Sequence, residues 1–444
     1  MASQRGLEIG IIGGGPSGTF CALGLLARAA ETGRRAQVTI FDHRPFMEYG
    51  PRGCNMCAGV ISNSLVSNLK RWGIEIPRDV VQREIEGYCL VTRAGEVYLR
   101  KPADQTIYTA YRGRGPRWAD WPQERSFDGF LLRTAVAAGA EHVPEVVSDV
   151  RLGSRPRAVL ASGAEREFDL VVVACGVNSP MLRRLGGLGF GYQPPRTATA
   201  CQAEIPLDPD YISEIFHDEI TIFALGLPRV KFAALTPKER HLTVTLIGEK
   251  VRLEDLECFL EHPRVRGLLP PGWEMPARFC FCFPRFPISG ARRPVTDSLA
   301  VVGDANVARY FKNGIDSAFW TGTHAADALL AGDGSAGDLW RRYAGPCGRR
   351  FGWDNACGRV LFSLHDAISR FPPVLRAHLT AARREQADPS SRQRLIRILW
   401  HMFTGDAPYA SILRDALRPS LQGELIAAAL REDIRRLMGL EARS

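Results

Sequence analysis

The sequence predicts an α/β protein whose two ends build one parallel sheet, while the middle of the chain folds out as a mostly antiparallel sheet and the C-terminal region is helical. Three observations predict this. An apolar run from Ile9 to Ile12 leads straight into Gly13-Gly14-Gly15-Pro16-Ser17-Gly18. A second apolar run, Leu299 to Val302, ends in Gly303-Asp304-Ala305. Between them, residues 195–290 alternate apolar and polar positions in short segments parted by turn residues, the pattern of antiparallel strands.

The first element is a strand, turn and helix. Gly13, Gly15 and Gly18 spell G-x-G-x-x-G before a helical pattern carrying Phe20, Leu23, Leu26 and Ala27, the context a Rossmann-type dinucleotide fingerprint requires. The first glycine permits the tight turn, the second lets backbone approach a pyrophosphate, and the third lets helix and strand pack closely. Pro16 and Ser17 open the helix, whose unpaired N–H groups suit an anion. A second strand, Val38 to Phe41, ends in Asp42, where a carboxylate accepts ribose hydroxyls and repels a 2'-phosphate. The expected nucleotide is therefore FAD or NAD rather than NADP.

A loop from residue 54 leads into a short helix, Ser64 to Trp72, and Tyr88 to Arg100 reads as a hairpin turning at Ala94-Gly95. Residues 126–140 are helical in pattern, with Asp128 complementing the dipole at the start. Short strands follow around residues 143–150 and 158–160, then the buried strand Leu170 to Ala174. In the inserted sheet, strands are expected at 199–205, 220–225, 230–235 and 241–247, with a helix near 253–260. Leu299 to Val302 returns to the parallel sheet and Gly314 to Leu330 is a helix with small residues on one face. Residues 336–444 are helical, broken at Phe371-Pro372-Pro373 and Asp388-Pro389.

With 444 residues, 45% of them hydrophobic, the chain can bury the cores of two or three domains. The first strand begins by Leu7, and no apolar run approaches the roughly 20 residues of a membrane span. A cytoplasmic location, at most peripheral to a membrane, is expected. Eleven scattered cysteines do not form a disulfide framework. The net charge of +9 invites a nucleic-acid reading, but no nucleic-acid motif or interleaving of aromatic and basic residues accompanies it, so that partner is set aside.

Taken in order, these motifs resemble FAD-dependent oxidoreductases of the p-hydroxybenzoate hydroxylase type, and within them the geranylgeranyl reductase-like branch. Gly13, Gly15, Gly18 and Asp42 match the opening fingerprint; Gly53-Cys54-Asn55-Met56-Cys57-Ala58-Gly59 is similar to a cysteine-and-glycine loop; Ser126-Phe127-Asp128 matches an aspartate-led helix. Ala174-Cys175-Gly176 aligns with a middle motif, and Gly303-Asp304-Ala305 with Gly314-Ile315 matches the stretch where an aspartate holds the ribityl chain and a helix N-terminus faces the flavin. The resemblance implies a three-layer ββα domain assembled from residues 5–72, 125–192 and 291–335, a substrate domain from 73–124 and 193–290, and a helical region from 336 onward.

It also implies bound FAD, an apolar, isoprenoid-like or otherwise unsaturated lipid substrate, and an electron donor that is NAD(P)H or a reduced carrier protein. The alternatives are an FAD-dependent monooxygenase and a non-enzymatic prenyl or lipid carrier. Several residues depart from the pattern. Cys175 replaces an aspartate, which weakens the hydroxylase reading; a Tyr-x-Trp-x-Phe-Pro strand and a Trp-x-Trp-x-Ile-Pro halogenase motif are both absent. Substrate identity therefore does not carry over.

Candidate catalytic groups are Cys54 and Cys57, a C-x-x-C pair able to exchange electrons as a dithiol or simply to be structural, and Lys312, which beside the Gly314 turn would favour anionic reduced flavin or else lie exposed. Cys280 and Cys282 share one face of a strand but lack two further ligands for a metal, so none is assigned. Three arginines between Tyr111 and Trp118 suit a carboxylate, phosphate or diphosphate, or form a solvated loop. The basic amphipathic segment 392–403 either packs on the protein or lies at a membrane surface.

Overall fold

The computed structural model describes residues 6–44, 46, 50, 57–117, 125–311, 313–388 and 393–437, the last six by backbone alone. Cys54 and Lys312 lie outside the described residues. The chain divides into two compact units.

The first unit comprises residues up to 81, 110–198 and 284–353. Its six-stranded sheet has the order Val295–Thr296, Leu299–Val301, Leu170–Val173, Leu7–Ile12, Ala36–Phe41, Glu141–Val143, parallel except for the first pair. Ile9 lies opposite both Leu170 and Val38, and Val173 opposite Val301. Strands from residues 7–41, 141–173 and 295–301 thus share one sheet. A three-stranded antiparallel sheet, Val147–Arg151, Arg157–Leu160 and Glu165–Glu167, packs Val150, Ala158 and Leu160 against Ile12, Val171, Val173 and Val301. That layer, the parallel sheet and the helices make the three-layer ββα arrangement.

Helices Pro16–Thr32 and Gly314–Ala331 pack backbone to backbone. A Cβ on Gly322 would stand 2.7 Å from the Ser17 carbonyl oxygen, and one on Gly24 3.0 Å from the Ala326 Cβ. The small residues read from the sequence at 318, 322, 325 and 326 are thus the condition for this contact. Ser62, rather than Ser64, caps the helix Asn63–Arg71 by accepting the N–H of Leu65.

The second unit comprises 82–109, 199–283 and 354–444. Its seven-stranded sheet has the order Cys280–Cys282, Cys201–Pro206, His241–Gly248, Val230–Pro237, Glu219–Ala224, Gly87–Thr92, Gly95–Arg100. Every pair is antiparallel except Glu219–Ala224 with Gly87–Thr92. One face packs Ala203, Leu235, Val244 and Phe223 under Ile212, Phe216, Leu256, Phe259 and Val265, which come from three short helices. The first of these, Pro209–Phe216, is not anticipated in the sequence reading, although Asp208 caps it and Pro209 starts it in the usual way.

The C-terminal helices of this unit cover other parts of the same sheet. Phe362 stacks on Phe232 at 6.0 Å, and the Arg383 guanidinium and Gln386 amide donate to the carbonyls of Glu96 and Tyr98 on the edge strand, which blunts that edge. The basic amphipathic segment forms helix Arg394–Thr404, and its apolar face is turned inward: Leu395, Ile398 and Trp400 are buried, and Trp400 meets Tyr88 edge-on at 5.5 Å while its indole N–H donates to Gln105. Packing therefore takes the surface that a membrane would need. Among the described residues, no helix is long and apolar enough to cross a bilayer.

Candidate active site

The fingerprint loop is held open by geometry. Gly13 has φ +112, and a Cβ there would stand 2.6 Å from the Ala174 carbonyl oxygen, so only glycine fits where the first strand turns beside the middle motif. A Cβ on Gly15 would meet only the Arg112 guanidinium, at 3.9 Å. The helix beginning at Pro16 has no side-chain cap and no acidic residue in its first turn. Its N-terminal N–H groups and positive dipole end are therefore not capped by a side chain, the arrangement a pyrophosphate needs.

The second half of the site comes to the first. Gly303 has φ +65, and a Cβ there would lie 2.6 Å from the Ser17 Oγ. Its N–H donates to Thr321 Oγ1 at 3.1 Å. Asp304, the next residue, lies beside Gly314 at the start of the downstream helix, which Asn313 precedes without a side-chain capping bond. Gly176 has φ +70 with open space where a side chain would stand, and Ile315 is buried. The structure thus brings Ser17, from the segment of Gly13, Gly15, Pro16 and Gly18, against Gly303, the residue before Asp304, while Cys54 and Lys312 fall outside the described residues and Cys57 is half-buried.

Asp42 ends its strand as expected, but its carboxylate is already occupied. Oδ2 accepts the N–H of Gly14 at 2.8 Å and Arg44 Nη2 at 2.8 Å; Oδ1 accepts the Arg44 N–H at 2.9 Å and Nε at 3.0 Å. Burial alone would raise its pKa, and the Arg44 bonds and charge with the Gly14 N–H more than offset this, so it lies below the ordinary carboxylate value. Four donors fill the lone-pair positions of a carboxylate. The sequence reading did not contain this occupancy of the Asp42 carboxylate by Arg44.

Arg112 is the other residue the sequence left unresolved. Its guanidinium grips buried Asp128 with two bonds, Nε to Oδ1 at 3.1 Å and Nη2 to Oδ2 at 2.6 Å, and Ser126 caps the Asp128 helix through Gly129. The segment from Tyr111 to Pro116 is mostly buried rather than a solvated loop. The bidentate pair fixes a cation beside Gly15, and the same charge acts on Asp304.

Burial raises the Asp304 pKa from 3.8 to about 6, against the opposing pull of Arg112. A folded-state carboxyl with a raised pKa holds its proton more tightly than the unfolded chain does, so its contribution favours folding at low pH and is lost as pH rises from about 4 to about 6. We expect Asp304→Asn to remove part of the fall in the cofactor-free protein's melting temperature between those pH values. Thermal melts across that range check it, and an unchanged slope would count against the assignment.

Two other polar groups anchor this unit. Asp316, in the first turn of the downstream helix, accepts the hydroxyls of Ser62, at 2.6 Å, and Ser64, tying two helices together. The Cys175 thiol is pushed by burial up to about 11, against a hydrogen bond from Ser179, so it is no ready nucleophile. Among the described residues, no three His, Cys, Asp or Glu side chains gather as a metal site.

Comparison with known proteins places this geometry. A family described as FAD-NAD(P)-binding matches residues 10–71. No curated protein matches the chain. Among solved structures, the chain is similar to a geranylgeranyl bacteriochlorophyll reductase-like protein from Thermoplasma acidophilum, with 17% identity, a TM-score of 0.64, and 96% of this chain and 99% of that one covered. It is also similar to the flavin-dependent brominase Bmp2, at 17% identity and TM-score 0.59, covering 93% and 98%. A third likeness is to 2-methyl-3-hydroxypyridine-5-carboxylic acid oxygenase, at 16% identity and TM-score 0.58, covering 82% and 93%. The chain thus carries an FAD/NAD(P)-binding domain and has the fold of flavin-dependent oxidoreductases and monooxygenases, the geranylgeranyl reductase-like type among them.

Proposed function

We propose that the protein is an FAD-dependent oxidoreductase that holds FAD noncovalently and transfers a hydride or an electron pair between it and an unsaturated organic substrate with a large apolar body. The observation that carries this reading is the contact of Gly303 with Ser17, which puts Asp304 beside the uncapped helix and the glycine loop. The residues present fit FAD. The N–H groups after Gly15 take the pyrophosphate with Arg112 beside them, Asp42 takes the adenosine ribose as Arg44 withdraws, and Asp304 takes the ribityl hydroxyls.

FAD, once held, supplies the redox chemistry, and the protein supplies binding, orientation and electrostatics. Asp304 is tuned for that task, since a carboxyl raised to about 6 donates or accepts a hydrogen bond near neutrality. Reduction of an isoprenoid-like or other unsaturated lipid is favoured by the near-complete coverage shared with the geranylgeranyl reductase-like structure. The electron donor is NAD(P)H or a reduced carrier protein.

The purified protein is expected to be yellow, or to take up added FAD with the absorbance bands of bound flavin, and Asp42→Ala to weaken FAD by at least about tenfold, the worth of one or two charge-assisted hydrogen bonds. A protein that stays colourless with added FAD would return the chain to the carrier class. Reducing the flavin without oxygen and then admitting air separates the two enzyme readings: substrate-dependent oxygen uptake into product marks a monooxygenase, and reduced product without it marks a reductase.

A further inference from the structure

Three side chains from distant parts of the first unit hold the turn that carries Asp304. The Gly303 N–H donates to Thr321 Oγ1 at 3.1 Å, and the buried Tyr192 hydroxyl donates to the Ala305 carbonyl at 2.7 Å. The third is Tyr343. Its hydroxyl donates to the Val301 carbonyl at 2.8 Å and accepts the Asn306 side-chain amide at 2.9 Å. Val301 ends the strand Leu299–Val301 and Asn306 follows the turn Gly303–Ala305, so one phenol oxygen ties the two flanks of the turn together. Inside the turn, the Gly303 carbonyl accepts the N–H groups of Asn306 and Val307 at 2.8 and 2.9 Å.

The backbone of the turn thus serves its own shape, and the Asp304 side chain does not. Among the described residues no hydrogen bond reaches its carboxyl, on which burial and the Arg112 charge act. A carboxyl without partners, on a backbone fixed from three sides, is the arrangement of a group held ready for a ligand.

Packing alone does not call for a hydroxyl at position 343. The residue is 0% exposed, and a phenylalanine would fill the same space with no polar group to satisfy. Burial raises the phenol well above its ordinary pKa, so it remains a donor. Tyr343 is carried by a π-helical turn, Trp340–Ala344, in which the Gly345 N–H donates to the Trp340 carbonyl. A Cβ on Gly345 would stand 2.9 Å from that oxygen, so the wide turn uses a glycine. Such turns are rare and occur frequently at functional sites.

We infer that Tyr343, with Asn306, is a positioning residue for the flavin: it fixes the turn so that the Asp304 carboxyl meets the ribityl hydroxyls in one geometry. The inference rests on the FAD reading and adds a residue that none of the sequence motifs contains. Tyr343 acts through the turn.

The test measures FAD affinity by flavin fluorescence in the full-length protein freed of cofactor, for the parent, Tyr343→Phe, Asp304→Ala and the double variant. Tyr343→Phe is expected to weaken FAD about tenfold when Asp304 is present, the loss an unpaired buried group brings, and less than about twofold once Asp304 is alanine. An equal factor in both backgrounds overturns the inference, because a phenol that served only the fold would weaken both alike. Amide hydrogen exchange in the cofactor-free protein is the second readout. In Tyr343→Phe the amides of Gly303, Asn306 and Val307 are expected to speed up at least about tenfold more than those of Ile11 and Val172, which lie opposite each other in the parallel sheet and report its opening as a whole. Equal acceleration at turn and sheet, or none at the turn, also overturns the inference. Should Tyr343→Phe fail to fold, Asn306→Ala, which leaves the phenol its bond to Val301, carries both measurements under the same criteria. A parent protein that takes up no FAD removes the oxidoreductase reading and this inference together, whereas a parent that binds FAD with equal factors in the cycle removes this inference alone.

Discussion

Gly18→Ala is expected to give a protein without bound flavin and with stability reduced by about 3 kcal/mol or more, the upper range for forcing extra volume into a packed site. A Cβ at position 18 would stand 1.9 Å from the Gly13 carbonyl oxygen and 3.1 Å from the Ala174 Cβ. The obstacle is backbone, so no side-chain rotation relieves it. Either the helix lifts from the strand or the Gly13 turn opens, and each movement carries the helix N-terminus away from the phosphate position. Flavin absorbance after purification and urea melts of parent and variant measure both effects. A yellow Gly18→Ala protein of parental stability would refute the role given to the loop.

The second large effect concerns the buried pair in the antiparallel sheet. Removing Lys238 alone, as in Lys238→Met, leaves Glu204 buried with its Thr243 bond and an uncompensated charge, and is expected to cost about 3–5 kcal/mol. Burial raises the Glu204 pKa and Lys238 holds it down; with the lysine gone the carboxyl rises further. A folded-state carboxyl with a raised pKa favours folding at low pH and loses that contribution as pH climbs through the folded value. The Lys238→Met deficit should therefore shrink in acid and grow toward neutrality. Adding Glu204→Leu to Lys238→Met is expected to restore most of the loss, because two apolar residues replace a pair whose desolvation was costly. Melts of the two single variants and the double one complete the cycle, and additive losses would show that the two side chains are not coupled.

Much of the dinucleotide domain was legible in the chain because its signals are local. A strand, a glycine turn and a helix start lie within ten residues, and each glycine answers a backbone demand: Gly13 with positive φ, Gly18 with a carbonyl in contact. The hairpin, the Leu170–Val173 strand and the helix from Gly314 likewise follow from short-range pattern. What was not legible depends on partners distant in sequence. Nothing near Arg112 announces that Asp128, a helix start further along the chain, will hold it beside Gly15.

The sheet of the second unit shows the division most plainly. The alternation of Cys201, Ala203 and Ile205 with Gln202 and Glu204 assigns one apolar and one polar face to the strand, and that much the sequence determines by itself, because side chains in a strand alternate with a period of two. That the polar face is buried, that Glu204 meets Lys238 from two strands away, and that Gln82 and Thr236 are enclosed without partners were decided only by the tertiary structure. Register between strands and the layers laid over a sheet set those facts, and both are fixed by contacts among residues far apart in the chain, where local pattern carries no information.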